Sequence, residues 1–139
     1  MALPVALQLY SVRDELEADF EGTIAKVRKF GYDGVEFAGL YGRSAEQVRK
    51  ILADAGLTPV SAHVPLDELL GDTQAVVATY KEIGCKYIVV PYLPEDRRPG
   101  TEGFDRTIED IKKIADVCNA QGVRLLYHNH DFEFKKLDG

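Results

Sequence analysis

The sequence predicts an α/β fold of five parallel strands joined by four helices. Three observations carry this prediction. Four helical patterns each end in a glycine (Gly31, Gly56, Gly84, Gly122), where a left-handed residue closes a helix without a steric clash. An apolar run follows each glycine within a few residues, and the segments between runs keep one apolar stripe at a period near 3.6.

The run Val5 to Tyr10 supplies a first strand over 5–11. Phe20, Ile24 and Val27 then make the stripe of the first helix, which closes at Gly31. Gly34-Val-Glu-Phe-Ala38 is the second strand, over 34–39. Ser44 with Gln47 three residues on has the pattern of a capping box and opens the helix striped by Val48, Ile51, Leu52 and Ala55. Pro59-Val-Ser-Ala-His63 gives a third strand over 58–64, and Thr73, Val76, Val77, Tyr80 and Ile83 stripe the helix after it. Tyr87-Ile-Val-Val-Pro91 is the fourth strand, over 86–92, followed by a proline- and charge-rich loop, 91–103. Phe104, Ile108, Ile111, Ala115 and Cys118 stripe the last and longest helix. Val123-Arg-Leu-Leu-Tyr127 begins a fifth strand, over 123–130. No linker or low-complexity tract divides the chain, so 1–139 is expected to be a single α/β domain.

Two architectures satisfy this string: an open doubly wound sheet, or a (β/α)8 barrel cut after its fifth strand. Polar residues choose between them. Strands of a doubly wound sheet read as near-continuous apolar runs. Here Gln8, Glu36, His63, His128 and His130 sit on or at the carboxyl ends of strands, where barrel enzymes gather their chemistry. No G-x-G-x-x-G follows the first strand. The expectation is a parallel (βα)4β segment of a barrel.

Composition narrows the function. Hydrophobic residues make up 45% and charged ones 29%, as in ordinary globular proteins. A net charge of −6 argues against a nucleic-acid partner, which needs a concentrated basic face. No apolar stretch is long enough to span a membrane, and the first nine residues lack the basic start of a signal peptide. Cys85 and Cys118 fall in apolar surroundings and read as reduced, buried residues, which fits a cytoplasmic protein.

The segment Tyr127-His-Asn-His-Asp-Phe-Glu133 holds two of the three histidines beside two carboxylates. Imidazole and carboxylate at a strand end form divalent-metal or acid–base sites. If the fifth strand persists, His128 and His130 share a face, because residues two apart in a strand point the same way.

Four stretches, Leu7-Gln-Leu-Tyr-Ser-Val-Arg-Asp-Glu-Leu16, Gly31-Tyr-Asp-Gly-Val-Glu36, Ser61-Ala-His-Val-Pro65 and Tyr127-His-Asn-His-Asp-Phe-Glu-Phe134, resemble the sugar phosphate isomerase/epimerase group, which has the xylose-isomerase-like TIM barrel. The resemblance runs the length of the chain but covers only the first five strands of eight. It implies proton transfer beside a sugar carbonyl through an enediolate, on a small sugar or sugar phosphate. It also implies a divalent ion, Mn²⁺ first, with Mg²⁺, Co²⁺ or Zn²⁺ as alternatives. The family's fifth-strand pattern carries Glu where this chain has His128, and imidazole suits Mn or Zn as well. On this basis His128 is the expected metal ligand and catalytic group, with Glu133 a second catalytic carboxylate. His63, Glu36, Gln8 and His130 are expected to bind substrate hydroxyls. The alternatives are a polyol (inosose-type) dehydratase on the same fold, and a non-catalytic half-barrel. The two raw sheet edges of such a fragment lead to the expectation of a homodimer.

Overall fold

The computed structural model describes residues 3–137. Strands β1 (Ala6–Gln8), β2 (Gly34–Ala38), β3 (Thr58–His63), β4 (Tyr87–Val90) and β5 (Arg124–Tyr127) form one sheet in the order β1-β2-β3-β4-β5. Every neighbouring pair is parallel. A doubly wound sheet reverses its strand order at a switch point, whereas a barrel adds each strand beside the last. The strictly sequential order is therefore that of a partial barrel, as the polar residues predicted.

Six helices, not four, make the crossovers: α1 (Arg13–Ala18), α2 (Phe20–Lys29), α3 (Ala45–Ala55), α4 (Leu66–Gly71), α5 (Thr73–Ile83) and α6 (Phe104–Ala120). The first and third crossovers are each broken by an aspartate that steps out of the helix. Asp19 is extended (φ −153°) and its carboxylate accepts from Gly22 N at 3.0 Å. Asp72 (φ −150°) repeats the device on Ala75 N at 3.0 Å. Both are N-caps that start a new helix, a use of Asp that an apolar stripe does not reveal. Gly22 fits the first cap closely, since a Cβ there would lie 2.0 Å from Asp19 Oδ2. The predicted capping box forms, with Ser44 and Gln47 each bonding the other's backbone N–H.

All five strands are shorter than expected, β1 and β5 by the most. β1 stops at Gln8 because its side-chain oxygen accepts from Tyr10 N at 2.8 Å and turns 9–12 into a 3₁₀ segment. β5 stops at Tyr127, although His128 N still reaches Val90 O at 3.0 Å. His128 and His130 therefore lie beyond the strand, and alternation does not govern them.

The core lies between the sheet and the helices. Val35, Phe37, Ala62, Ile88 and Val90 meet Phe20, Ile24, Val48, Leu52, Val77 and Ile114, all at most 2% exposed. The α6 stripe is rotated from the predicted one. Thr107, Asp110, Ile114 and Cys118 are buried, while Ile108 is 37% exposed. The reason is Arg97, from a 3₁₀ turn in the loop after β4, whose Nη2 donates to Asp110 Oδ2 at 2.6 Å. That pair draws a charged position of α6 inward. Cys85 and Cys118 are buried and unpaired, and burial pushes the Cys85 thiol up to about 12. Among the described residues no helix is long and apolar enough to cross a membrane.

Candidate functional site

The face of the sheet turned away from the helices carries the polar strand residues. Register sets Gln8 beside Glu36, and Glu36 beside Ser61. A shift between Val35 and Glu36 makes this possible, because it moves the partner of Glu36 from Val60 to Ser61 and brings Ala38 level with His63. Side chains of paired strand residues share a face, so Gln8, Glu36 and Ser61 line up across three strands with His63 one step beyond.

Glu36 is the hub of this row. Its Oε1 accepts from Gln8 Nε2 at 2.7 Å and lies 3.2 Å from His63 Nε2. Its Oε2 accepts from the Ser61 hydroxyl. The Gln8 amide cannot turn over without loss, because its oxygen already holds Tyr10 N. Glu36 and His63 are both half-buried, their side chains 26% and 15% exposed. Burial lowers the His63 pKa below the ordinary imidazole value; the Glu36 charge opposes this, and His128 and His130 reinforce it.

The three histidines form a chain. The His63 and His128 rings meet edge-on at 5.1 Å between centroids, and His128 and His130 are also 5.1 Å apart. His130 stacks on Phe132, tilted by only 6°, and presents its edge to Tyr92. Its Nδ1 is buried without a partner. Arg98 lies 4.0 Å from the Phe132 ring centre and 5.0 Å from that of Tyr92, and its Nε donates to Leu93 O. It thus ties the loop after β4 to the loop after β5. The three histidines, Gln8, Tyr10 and Tyr92 line one cavity of about 420 Å³, within the range of small-ligand pockets.

Of the residues expected at the site, Gln8, His63, His128 and His130 line this cavity, and Glu36 touches it through Gln8 and His63. Glu133 does not join them. One carboxylate oxygen accepts from the Tyr127 hydroxyl and the other from His130 N at 2.7 Å. Tyr127 pairs with Val90, a core position, so both side chains lie on the α6 side, in an apolar groove with Phe104, Ile108 and Ile111. Desolvation works against ionisation of Glu133, but the two hydrogen bonds prevail and hold its carboxyl below the usual range. Burial, with the bond to Glu133, raises the Tyr127 hydroxyl. The geometry is that of a loop clamp, which aims the His130 backbone.

A divalent ion needs three or more converging donors. Among the described residues no group of three or more His, Cys, Asp or Glu could hold one. The side chains present therefore do not by themselves fit the ion that the resemblance implies. Sequence reasoning missed Ser61 and Arg98. Ser61 had a signal, standing two residues before His63 on the same strand, whereas Arg98 acts through contacts between loops and had none.

A family model described as xylose isomerase-like TIM barrel matches residues 24–137. An inosose dehydratase of Geobacillus thermodenitrificans is 25% identical over 134 residues, covering 82% of this chain and 45% of that protein. A sugar phosphate isomerase/epimerase structure from Parabacteroides distasonis superposes with a TM-score of 0.81 at 24% identity, over 97% of this chain and 57% of that one. An IolI protein with a bound zinc atom superposes with a TM-score of 0.66 at 16% identity, over 90% and 51%. The chain thus spans about half the length of the proteins it matches.

Proposed function

The chain belongs to the xylose isomerase-like TIM barrel family, and on that premise we propose that its histidine cavity binds a small sugar or sugar phosphate and moves a proton beside the carbonyl. The observation that carries this reading is the run of three touching imidazoles backed by Glu36 in one cavity. An enediolate builds negative charge on the carbonyl oxygen while a proton leaves the neighbouring carbon. Imidazoles that can hold or release protons near neutral pH suit both tasks. His128 is the exposed middle member and reaches substrate as the proton-transferring group. His63, Gln8 and His130 grip hydroxyls around it, with Glu36 behind His63. Glu133 acts by holding the loop that carries His130.

Metal enters only in a limited form. Were a divalent ion to bind here, His128 would be one of its donors and the ion would supply polarisation of the carbonyl. Imidazole suits zinc at least as well as manganese, and the zinc atom in the similar IolI structure favours that choice. The open edges of β1 and β5 are covered by a second copy of the chain. Its β1 can extend β5 in the same parallel sense, and Leu126 and Tyr127, 41% and 37% exposed, gain cover.

A second reading, loss of water from a cyclic polyol ketone, is favoured by the similarity to an inosose dehydratase. Both reactions begin with the same proton abstraction. Incubation in D₂O with a ketohexose, its phosphate and inosose, followed by NMR, separates them. Isomerisation or epimerisation yields deuterium beside the carbonyl in a sugar of unchanged composition, and dehydration yields an unsaturated or diketo product. His128→Ala should slow either by about 10²-fold or more. Exchange that continues unchanged in both His128→Ala and His63→Ala would overturn the reading.

A further inference from the structure

We propose that Glu36 is a positioning residue that fixes the proton of His63 on Nε2, so that Nδ1 is presented as a lone pair to a hydroxyl of the bound polyol. This rests on the reading of the cavity as a sugar site and assigns its polarity. A neutral imidazole carries one proton, on either nitrogen. An Nε2 lone pair facing Glu36 Oε1 at 3.2 Å would set two electron-rich atoms against each other. A proton on Nε2 turns the same contact into an attraction between an N–H and a carboxylate.

The surroundings keep Glu36 in place for this task. Gln8 holds Oε1 at 2.7 Å, Ser61 holds Oε2, and Gln8 is itself anchored by Tyr10 N at 2.8 Å. The carboxylate therefore cannot swing away, and His63 is oriented by a group outside its direct contact with ligand, as imidazoles in active sites commonly are. An Nδ1 lone pair accepts a hydrogen bond and donates none. The ligand group it selects is therefore an O–H, such as a sugar hydroxyl, rather than a carbonyl or a phosphate oxygen.

The test uses the chain labelled with ¹⁵N-histidine, because the nitrogen shifts of each ring report which atom bears the proton. Wild-type His63 at neutral pH should show a bias towards the Nε2–H form of about tenfold or more, as the attraction of an N–H to a carboxylate 3.2 Å away supports. Glu36→Ala should reduce the bias to the modest Nε2–H preference that an unpartnered histidine has by itself, and Glu36→Gln, which keeps an acceptor oxygen, should restore part of the difference. If Glu36→Ala does not fold, a reduced bias in Glu36→Gln supports the positioning role equally, and an unchanged bias there overturns it. A proton on Nδ1 in the wild type, or a bias indifferent to both substitutions, overturns the proposal. Addition of inosose should then move the Nδ1 resonance of His63. A Glu36-dependent bias with no response to inosose or a ketohexose would refute the sugar reading and the hydroxyl contact, leaving the positioning role established. A shift of Nδ1 on adding Zn²⁺ alone would overturn the proposal by making His63 a metal ligand.

Discussion

Removing the carboxylate of Asp110 should cost the fold about 3 kcal/mol. The Arg97–Asp110 pair joins the loop after β4 to α6, with Nη2 and Oδ2 only 2.6 Å apart and side chains 14% and 12% exposed. Arg97 Nη1 is buried with no partner, so Asp110 is the group that neutralises this guanidinium. Losing one member of a buried pair costs about 3–5 kcal/mol, because the other charge is stranded. The lower end applies here. Some solvent still reaches the pair, and Arg106, 3.9 Å from Asp110 and 81% exposed, adds little. Asp110→Ala should therefore lower the midpoint of thermal unfolding by roughly 10 °C for a chain of this size. Asp110→Asn keeps an acceptor without the charge and should fall between. The pair Arg97→Met with Asp110→Leu should return to within about 1 kcal/mol of wild type, since apolar replacement of both partners removes the stranded charge. Urea unfolding followed by circular dichroism measures all three. A loss below about 1 kcal/mol in Asp110→Ala, or a double variant as unstable as the sum of its singles, would refute the reasoning from a stranded charge.

Two further outcomes are expected. His63 has its pKa lowered in the fold from the ordinary value of 6.5, so the unfolded chain binds its proton more readily. This contribution to stability is complete above pH 6.5 and fades as pH falls below it, so the midpoint should drop between pH 7 and 5, and less so in His63→Gln. Light scattering should return twice the chain mass of 15.5 kDa, whereas a monodisperse monomer would reject pairing of the β1 and β5 edges.

The sheet was legible because its signals are local. Each post-helical glycine takes the left-handed conformation predicted, with φ of 96°, 70°, 108° and 77° at Gly31, Gly56, Gly84 and Gly122. The capping box at Ser44 is equally local. What escaped depends on contacts distant in sequence. The apolar stripe of α6 gave Ile108 as a core residue, but Arg97 pulls Asp110 inward and turns the helix. Asp19 and Asp72 carried no signal in the apolar stripes, yet their extended backbones split two crossovers. At the site, strand alternation was the wrong reason for grouping His128 with His130. β5 ends before either, and a turn clamped by Glu133 sets them 5.1 Å apart. Glu133 followed the motif in sequence but sits on the far side of the sheet, because Tyr127 at the strand end faces α6. Glu36 and His63 come together through the register shift of β2 on β3, which no pattern along a single strand encodes.

The central claim is that the histidine cavity is where a sugar binds. The most direct measurement is a titration of the ¹⁵N-histidine-labelled chain with inosose and with a ketohexose phosphate, following all three imidazoles. Shifts at His63, His128 and His130 that saturate together are the predicted result. Histidine resonances that stay fixed while ligand signals map to the groove of Phe104 and Ile108 would contradict it.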